Sequence, residues 1–229
     1  MYRICPPNPI RWLSLSKPRE TPREPMNSIE FLLQQHARNH SARVATWEGT
    51  TATGQNQEDL ILDGLTDAQL RKIPGAGLNS IAWLHWHIAR SEDVGVSLCG
   101  GGRPQVWHAG GWAKKLKYER ADSGTGMTAA DVADLSARID LAGLREYRWA
   151  VGRQTREIVT PMKPERFSAK IDMAVLRKNI ELGSYRAAPD KARFEQTWST
   201  RSVGYTLATY AVTHNIGHWG EVRTLKGML

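Results

Sequence analysis

Cysteine is scarce in this 229-residue chain, which holds only Cys5 and Cys99. The two are far apart, with no CxxC spacing, so no disulfide framework is readable. Cys99, alone at a helix end, reads as a small buried residue rather than a nucleophile. Low cysteine use fits a reducing cytoplasm. Long apolar runs are missing too: no stretch of about 18 apolar residues occurs, which excludes a transmembrane helix. The stretch "IRWLSLSKP" is too short and too polar for a secretory signal. GxSxG and P-loop motifs are absent. "HNIGH" lacks the glutamate that would follow the first histidine of a zincin protease.

Charge is not short, but it is not clustered. The formal net charge is +8. Residues 1–25 supply +3 of it, five basic residues against Glu20 and Glu24. The remaining basic residues, such as Lys114, Lys117, Arg153 and Arg156, are scattered. A solvated basic surface is expected, not a nucleic-acid stripe.

The first 25 residues hold six of the eleven prolines and no hydrophobic period, which predicts a disordered arm over 1–26. Met26 is an alternative start. A helical domain is expected over 27–229. The first helix is expected over 28–48, with Ile29, Leu32, Leu33, Val44 and Trp47 on one face. "LTDAQLRKIPG" reads as a short capped turn. A second long helix opens at Asn79 or Ser80, "NSIAWLHWHIARSEDVGVSLC", and stops at Gly100. After a long glycine- and tryptophan-rich connection, Thr128 caps a helical stretch to about Val159, jogged near Asp140. Residues 165–200 show no clear period. A last long helix is expected from Arg201 to Lys226, closed by Gly227. The pattern predicts an all-α fold, a four-helix bundle with long crossover connections.

The last helix carries "THNIGHWGEV". Four residues separate His214 from His218, so both imidazoles lie on one face, and Glu221 shares it. That face also holds Leu207, Tyr210, Ala211 and Leu225, which predicts an inward direction for all three polar groups. Packed, hydrogen-bonded core histidines and metal ligands both satisfy this pattern. Burying three polar groups without a partner is costly, and an ion would remove that cost. On the second helix, Arg90, Glu92 and Asp93 are read as the wet side. His87 lies nearer the opposite direction than His85, so His87 is the inward candidate and His85 a surface or rim residue. His36 and His40 form a rival pair at the same spacing on the first helix, read as pocket-lining or core residues. His108 is expected near a mouth or exposed.

"NSIAWLHWHIARSEDV" followed much later by "THNIGHWGEVRTLKG" resembles the DinB/YfiT-like superfamily of four-helix-bundle metalloenzyme-like proteins. "GGRPQVWHAGGWAKKL" and "GTGMTAADV" are similar to a connection in one branch of it. The resemblance implies a divalent-metal triad of His87, His214 and His218. It leaves His36 and His40 without a part in that triad.

Three neutral imidazoles leave coordination positions open, the pattern of a catalytic site rather than a closed structural one. Zinc, nickel and iron all suit such a set. Glu221 is placed just behind the metal, as the orienting partner of a ligand or as a base. The family resemblance further implies a thiol-dependent S-transferase, or a hydrolase, acting on a small electrophile with a low-molecular-weight thiol as co-substrate. A metal-binding stress-response or small-molecule-binding module without turnover is the alternative. The expected protein is cytoplasmic, without nucleic-acid or membrane partners, and able to form a homodimer through tryptophans outside the site.

Overall fold

Asn27 opens the first element: its side chain accepts from the amides of Ile29 and Glu30, and Glu30 bonds back to the Asn27 amide. This reciprocal cap starts α1, Ser28–Asn39. The computed structural model describes residues 26–47, 56–185 and 191–229. The expected N-terminal arm therefore lies outside the described residues.

The first helix is shorter than its apolar pattern predicts. His40 is already extended, and Asn56 donates from its side chain to the carbonyl of Ala37. The carboxylates of Glu58 and Asp59 accept from the amides of Ser41 and Ala42. Side chains distant in sequence thus satisfy the backbone where helical bonds would otherwise continue. Val44 and Trp47 lie beyond the helix.

There follow α2 (Gln57–Leu62), α3 (Asp67–Arg71), α4 (Ile81–Ser97), α5 (Val106–Ala109) and α6 (Trp112–Leu116). Next come α7 (Ala129–Arg138), α8 (Leu141–Val159), α9 (Met173–Glu181) and α10 (Lys191–Ser199). The chain closes with α11 (Val203–Leu207), a π-helical turn (Ala208–Thr213) and α12 (His214–Lys226). Side chains of Ser80 and Thr128 cap α4 and α7, as their positions in the sequence predict, and the expected jog near Asp140 is a break at which Asp140 caps a separate helix, α8. The unreadable segment 165–200 holds α9 and α10, too short for a clear helical period. Among the described residues the fold is all-helical, with one isolated β-bridge between Lys170 and Ser202. None of these helices is long and apolar enough to cross a membrane.

Every residue of α4 is buried. It packs against α8 and α12, while α1 lies across α8 and the π turn. The first half of α4, including Leu84, Trp86 and Ile88, joins a core with Leu144, Tyr147, Trp219 and Val222. Beyond Val96 it enters a second core with Leu32, Ile158, Leu207 and Ala211.

Between the two cores lie the residues expected on a wet side. Arg90 and Glu92 are 0% exposed and Asp93 is 2% exposed, so the expectation is overturned. The reason is pairing. The Arg90 guanidinium donates to Asp93, to the Tyr147 hydroxyl and to Gln105. Asp93 also accepts from the amides of Val106 and Trp107, fixing the start of α5. A buried charge is tolerated when its hydrogen-bonding capacity is filled in this way.

Candidate metal centre

α4 and α12 bring His87, His214 and His218 together. One ligand-type atom from each lies within 4.8 Å of the others. The ring centroids are 5.0 Å apart for His87 and His214, 4.7 Å for His87 and His218, and 4.5 Å for His214 and His218.

His87 is fixed on two sides. Its ring stacks on Trp83 at 4.8 Å and 8°. Its Nδ1 donates to the carbonyl of Ser123. A carbonyl only accepts, so Nδ1 carries the proton and Nε2 keeps its lone pair. The Ser123 carbonyl is set by its neighbours. Gly124 has φ +86°, and a Cβ there would lie 2.6 Å from Trp86. The Gly124 amide donates to Asp122, which also pairs with Arg120 at 2.9 Å. "DSGTG" is therefore the loop that orients His87.

On α12, Nδ1 of His218 donates to Glu221 Oε2 across 3.0 Å, again leaving Nε2 free. Glu221 thus stands behind His218 rather than among the three imidazoles. Nδ1 of His214 is buried and has no hydrogen-bond partner. Burial, and then its histidine neighbours, lower the His214 pKa to about 3. Burial lowers that of His87 to about 4, against the opposing pull of the Ser123 carbonyl. Both rings are neutral near pH 7, the form that binds a cation. Three converging imidazoles, two with hydrogen-bond partners behind them and one with an orphaned buried nitrogen, fit a divalent ion.

The sequence wheel for α12 is off by about one residue. The buried face is Asn215, Trp219, Val222 and Leu225. His214, His218 and Glu221 flank it and are partly exposed. This offset matters, because His87 and His214 consequently line a cavity of ≈390 Å³. Other walls of that cavity come from Tyr185, Phe194, Trp198 and Tyr210. Tyr210 reaches it because Gly95 on α4 has no side chain: a Cβ there would meet Tyr210 Cγ at 2.3 Å.

A second set of donor atoms, on His36, His40 and Glu92, also lies within 4.8 Å and can hold an ion by distance alone. Its hydrogen bonds describe another use. Glu92 accepts from Nε2 of His36 at 2.9 Å and of His40 at 3.0 Å, and from Thr155 and Asn215 at 2.8 Å each. The Arg148 guanidinium also donates to it. An ionised carboxylate only accepts, so both Nε2 atoms carry protons and serve Glu92 as donors. A cation, Arg148, is already seated on the carboxylate. His36 and His40 are wholly buried, in keeping with their reading as core residues.

Two other histidines differ from one another. His85 is 4% exposed, its Nε2 3.6 Å from Glu58 Oε1, so the surface reading is overturned. The error follows from reading α4 as two-faced when both its faces are covered. His108 is partly exposed and does not line the cavity. Cys99 is buried, and its thiol is pushed up to about 12 by burial.

A match to the DinB superfamily covers residues 50–222. This chain belongs to the DinB superfamily. A conserved protein from Enterococcus faecalis has a similar solved structure, with 18% identity and a TM-score of 0.58. The likeness covers 89% of this chain and 97% of that one, and at this identity it speaks for the fold alone. No curated protein matches. The DinB assignment agrees with the all-helical architecture.

Sequence reasoning missed Arg148, Thr155 and Asn215 around Glu92, and the cavity wall of Tyr185, Trp198 and Arg201. One signal was present: three charged residues inside the otherwise apolar "IAWLHWHIARSEDVGV". A helix that apolar is buried all round, so its charges must find partners inside.

Proposed function

We propose that this DinB protein is a divalent-metal-dependent enzyme that transfers a low-molecular-weight thiol to a small electrophile, or hydrolyses one. The observation that carries the reading is the opening of the histidine cluster, through His87 and His214, onto the ≈390 Å³ cavity. A cluster closed by protein on every side would suit a structural ion; one beside a cavity suits a reacting ligand.

His87, His214 and His218 would hold the ion. When bound, it supplies positive charge that acidifies a thiol or water brought against it. The protein's own share is orientation. Ser123 and Glu221 hold two imidazoles with Nε2 unprotonated. The aromatic walls exclude water from one side of the cavity. Zinc, nickel and iron are all compatible with three imidazoles.

The test begins with metal analysis of untagged protein purified without chelator. One equivalent of a divalent metal is expected, falling to background in the His87→Ala/His214→Ala/His218→Ala variant. Metal retained in that variant refutes the ligand set. A panel of thiols and electrophiles then separates turnover from binding. Metal-dependent thiol consumption supports the enzyme; stoichiometric metal without consumption supports a binding module.

A further inference from the structure

The cavity beside the histidines has a cation in its wall. Arg201 lines it, half-buried, and makes no ion pair among the described residues. The guanidinium is held by rings instead of carboxylates. Its Cζ lies 4.2 Å from the centre of the Trp198 ring and 5.4 Å from that of Tyr205. Its one side-chain hydrogen bond is a long one, 3.4 Å to the Tyr210 hydroxyl. A guanidinium has five N–H donors in a planar fork, so most of this fork is unspent. Ring contacts fix its plane without satisfying it.

A second donor residue, Tyr185, lines the same space. The Tyr185 hydroxyl is buried and has no hydrogen-bond partner. Burial pushes the phenol above its usual range, so it stays an O–H donor. The cavity's own acid does not compete for Arg201: Asp122 is engaged by Arg120 and by the Gly124 amide.

Tyr210 spans the distance from cation to histidines. Its ring centre is 6.0 Å from that of His214, and its hydroxyl touches Arg201. The path between the two is lined by flat rings, with Trp198 stacked on Tyr210 at 14°. A flat aromatic ring carrying a carboxylate at one end suits walls of this kind.

We infer that the cavity takes a planar, apolar carboxylate, its carboxylate on the Arg201 fork and the Tyr185 hydroxyl, its body along Trp198 and Tyr210, and its other end towards His87 and His214. The assignment deepens the proposed function and rests on it for the statement that the far end is the reacting one. Carboxylate binding itself stands apart from any reaction. Either the thiol or the electrophile can carry the carboxylate.

Calorimetric titration of the full-length chain with benzoate and with benzyl alcohol tests the inference. Saturable benzoate binding is expected, with none for the alcohol. Arg201→Gln should weaken benzoate about tenfold or more, the usual effect of losing a charge-assisted hydrogen bond. Arg201→Lys should fall between the two, because it keeps the charge and loses the fork. Tyr185→Phe should weaken binding severalfold and guards against misfolding of the arginine variants. Absence of saturable benzoate binding, or equal affinity in Arg201→Gln and Tyr185→Phe, overturns the inference.

The triple histidine variant separates this result from the metal reading. Benzoate binding should survive there while metal is lost. Benzoate binding lost there and unaffected by Arg201→Gln would place the carboxylate on the ion and overturn the inference. 4-Mercaptobenzoate identifies the source. A gain over benzoate that disappears in the triple variant places carboxylate and thiol on one molecule. Equal affinity places the carboxylate on the electrophile. Both outcomes support the anion site.

Discussion

Asn215 donates from Nδ2 to Glu92 Oε2 across 2.8 Å, one residue along from His214. This bond ties the first turn of α12 to the middle of α4, the two helices that supply the three histidines. The Trp219 indole adds a second tie, donating to the carbonyl of Asn39 at 2.9 Å. The buried charge network and the histidine cluster are thus one mechanical unit.

Asn215→Ala removes that tie and leaves Glu92 with its other donors. We expect a loss of about 1–3 kcal/mol in stability, from the vacated acceptor. Metal affinity should fall as well, since His214 loses its anchor. Urea denaturation and a chelator competition read the two effects. Unchanged metal affinity would show that His214 is placed independently of Glu92.

Glu221→Ala tests orientation without a stability penalty. The Glu221 side chain is 39% exposed, so its removal should change stability by no more than about 0.5 kcal/mol. Partners behind metal-binding histidines typically contribute about 10–100-fold to affinity. Chelator competition should show such a drop, and Glu221→Gln should recover part of it.

Acid should weaken the fold in two stages. Burial, and then Arg148, lower the His40 pKa from 6.5 to about 3. A folded pKa below the unfolded one gives stability that is complete above pH 6.5 and is lost as pH falls towards 3. Burial pushes the Glu92 carboxyl up, but His40, Arg148 and His36 outweigh it and hold it well below the usual range. Its contribution is complete above its ordinary value of 4.5 and is lost below that. The urea midpoint should therefore be lower at about pH 5 than at about pH 7, from His40 together with His87 and His214. In His40→Gln that difference should shrink even though the variant is weaker at both. Equal midpoints in the parent protein would contradict the burial of a neutral His40.

Gly95→Ala places a methyl group 2.3 Å from Tyr210 Cγ, inside contact distance. Overpacking of this kind costs about 1–3 kcal/mol. A lower melting temperature should come with weaker benzoate binding, because Tyr210 is displaced from the cavity wall. Loss of stability with binding intact would show that α4 moves instead of the tyrosine.

Helix starts were legible in the sequence because caps are local: Ser80 and Thr128 each bond an amide three residues on. The end of α1 was not, because Asn56, Glu58 and Asp59 make it from far along the chain. His87, His214 and His218 were legible as a group through spacing on two strongly patterned helices and through family resemblance. The surroundings of Glu92 were hidden for the opposite reason. Its donors come from α1 and its cap residue His40, from α8 and from α12, and no periodicity within one helix points to a partner on another. Arg201 and Trp198 lie in and after a segment too short-pitched to read, so the anion end of the cavity had no sequence signature.

The π turn over Ala208–Thr213 sets the chain's tolerance of length changes. A π turn carries about one residue more than an α turn. Deleting one residue there lets the helix run through as regular α with its two flanks nearly in register, whereas a deletion in the regular helix that follows would rotate one side against the other by about 100°. Arg201 and Trp198 lie before the turn, and His214 and His218 after it. A one-residue deletion within the turn that retains Tyr210 would therefore keep the two ends of the cavity facing one another, and a deletion after it would part them. The turn gives this helix one residue of slack.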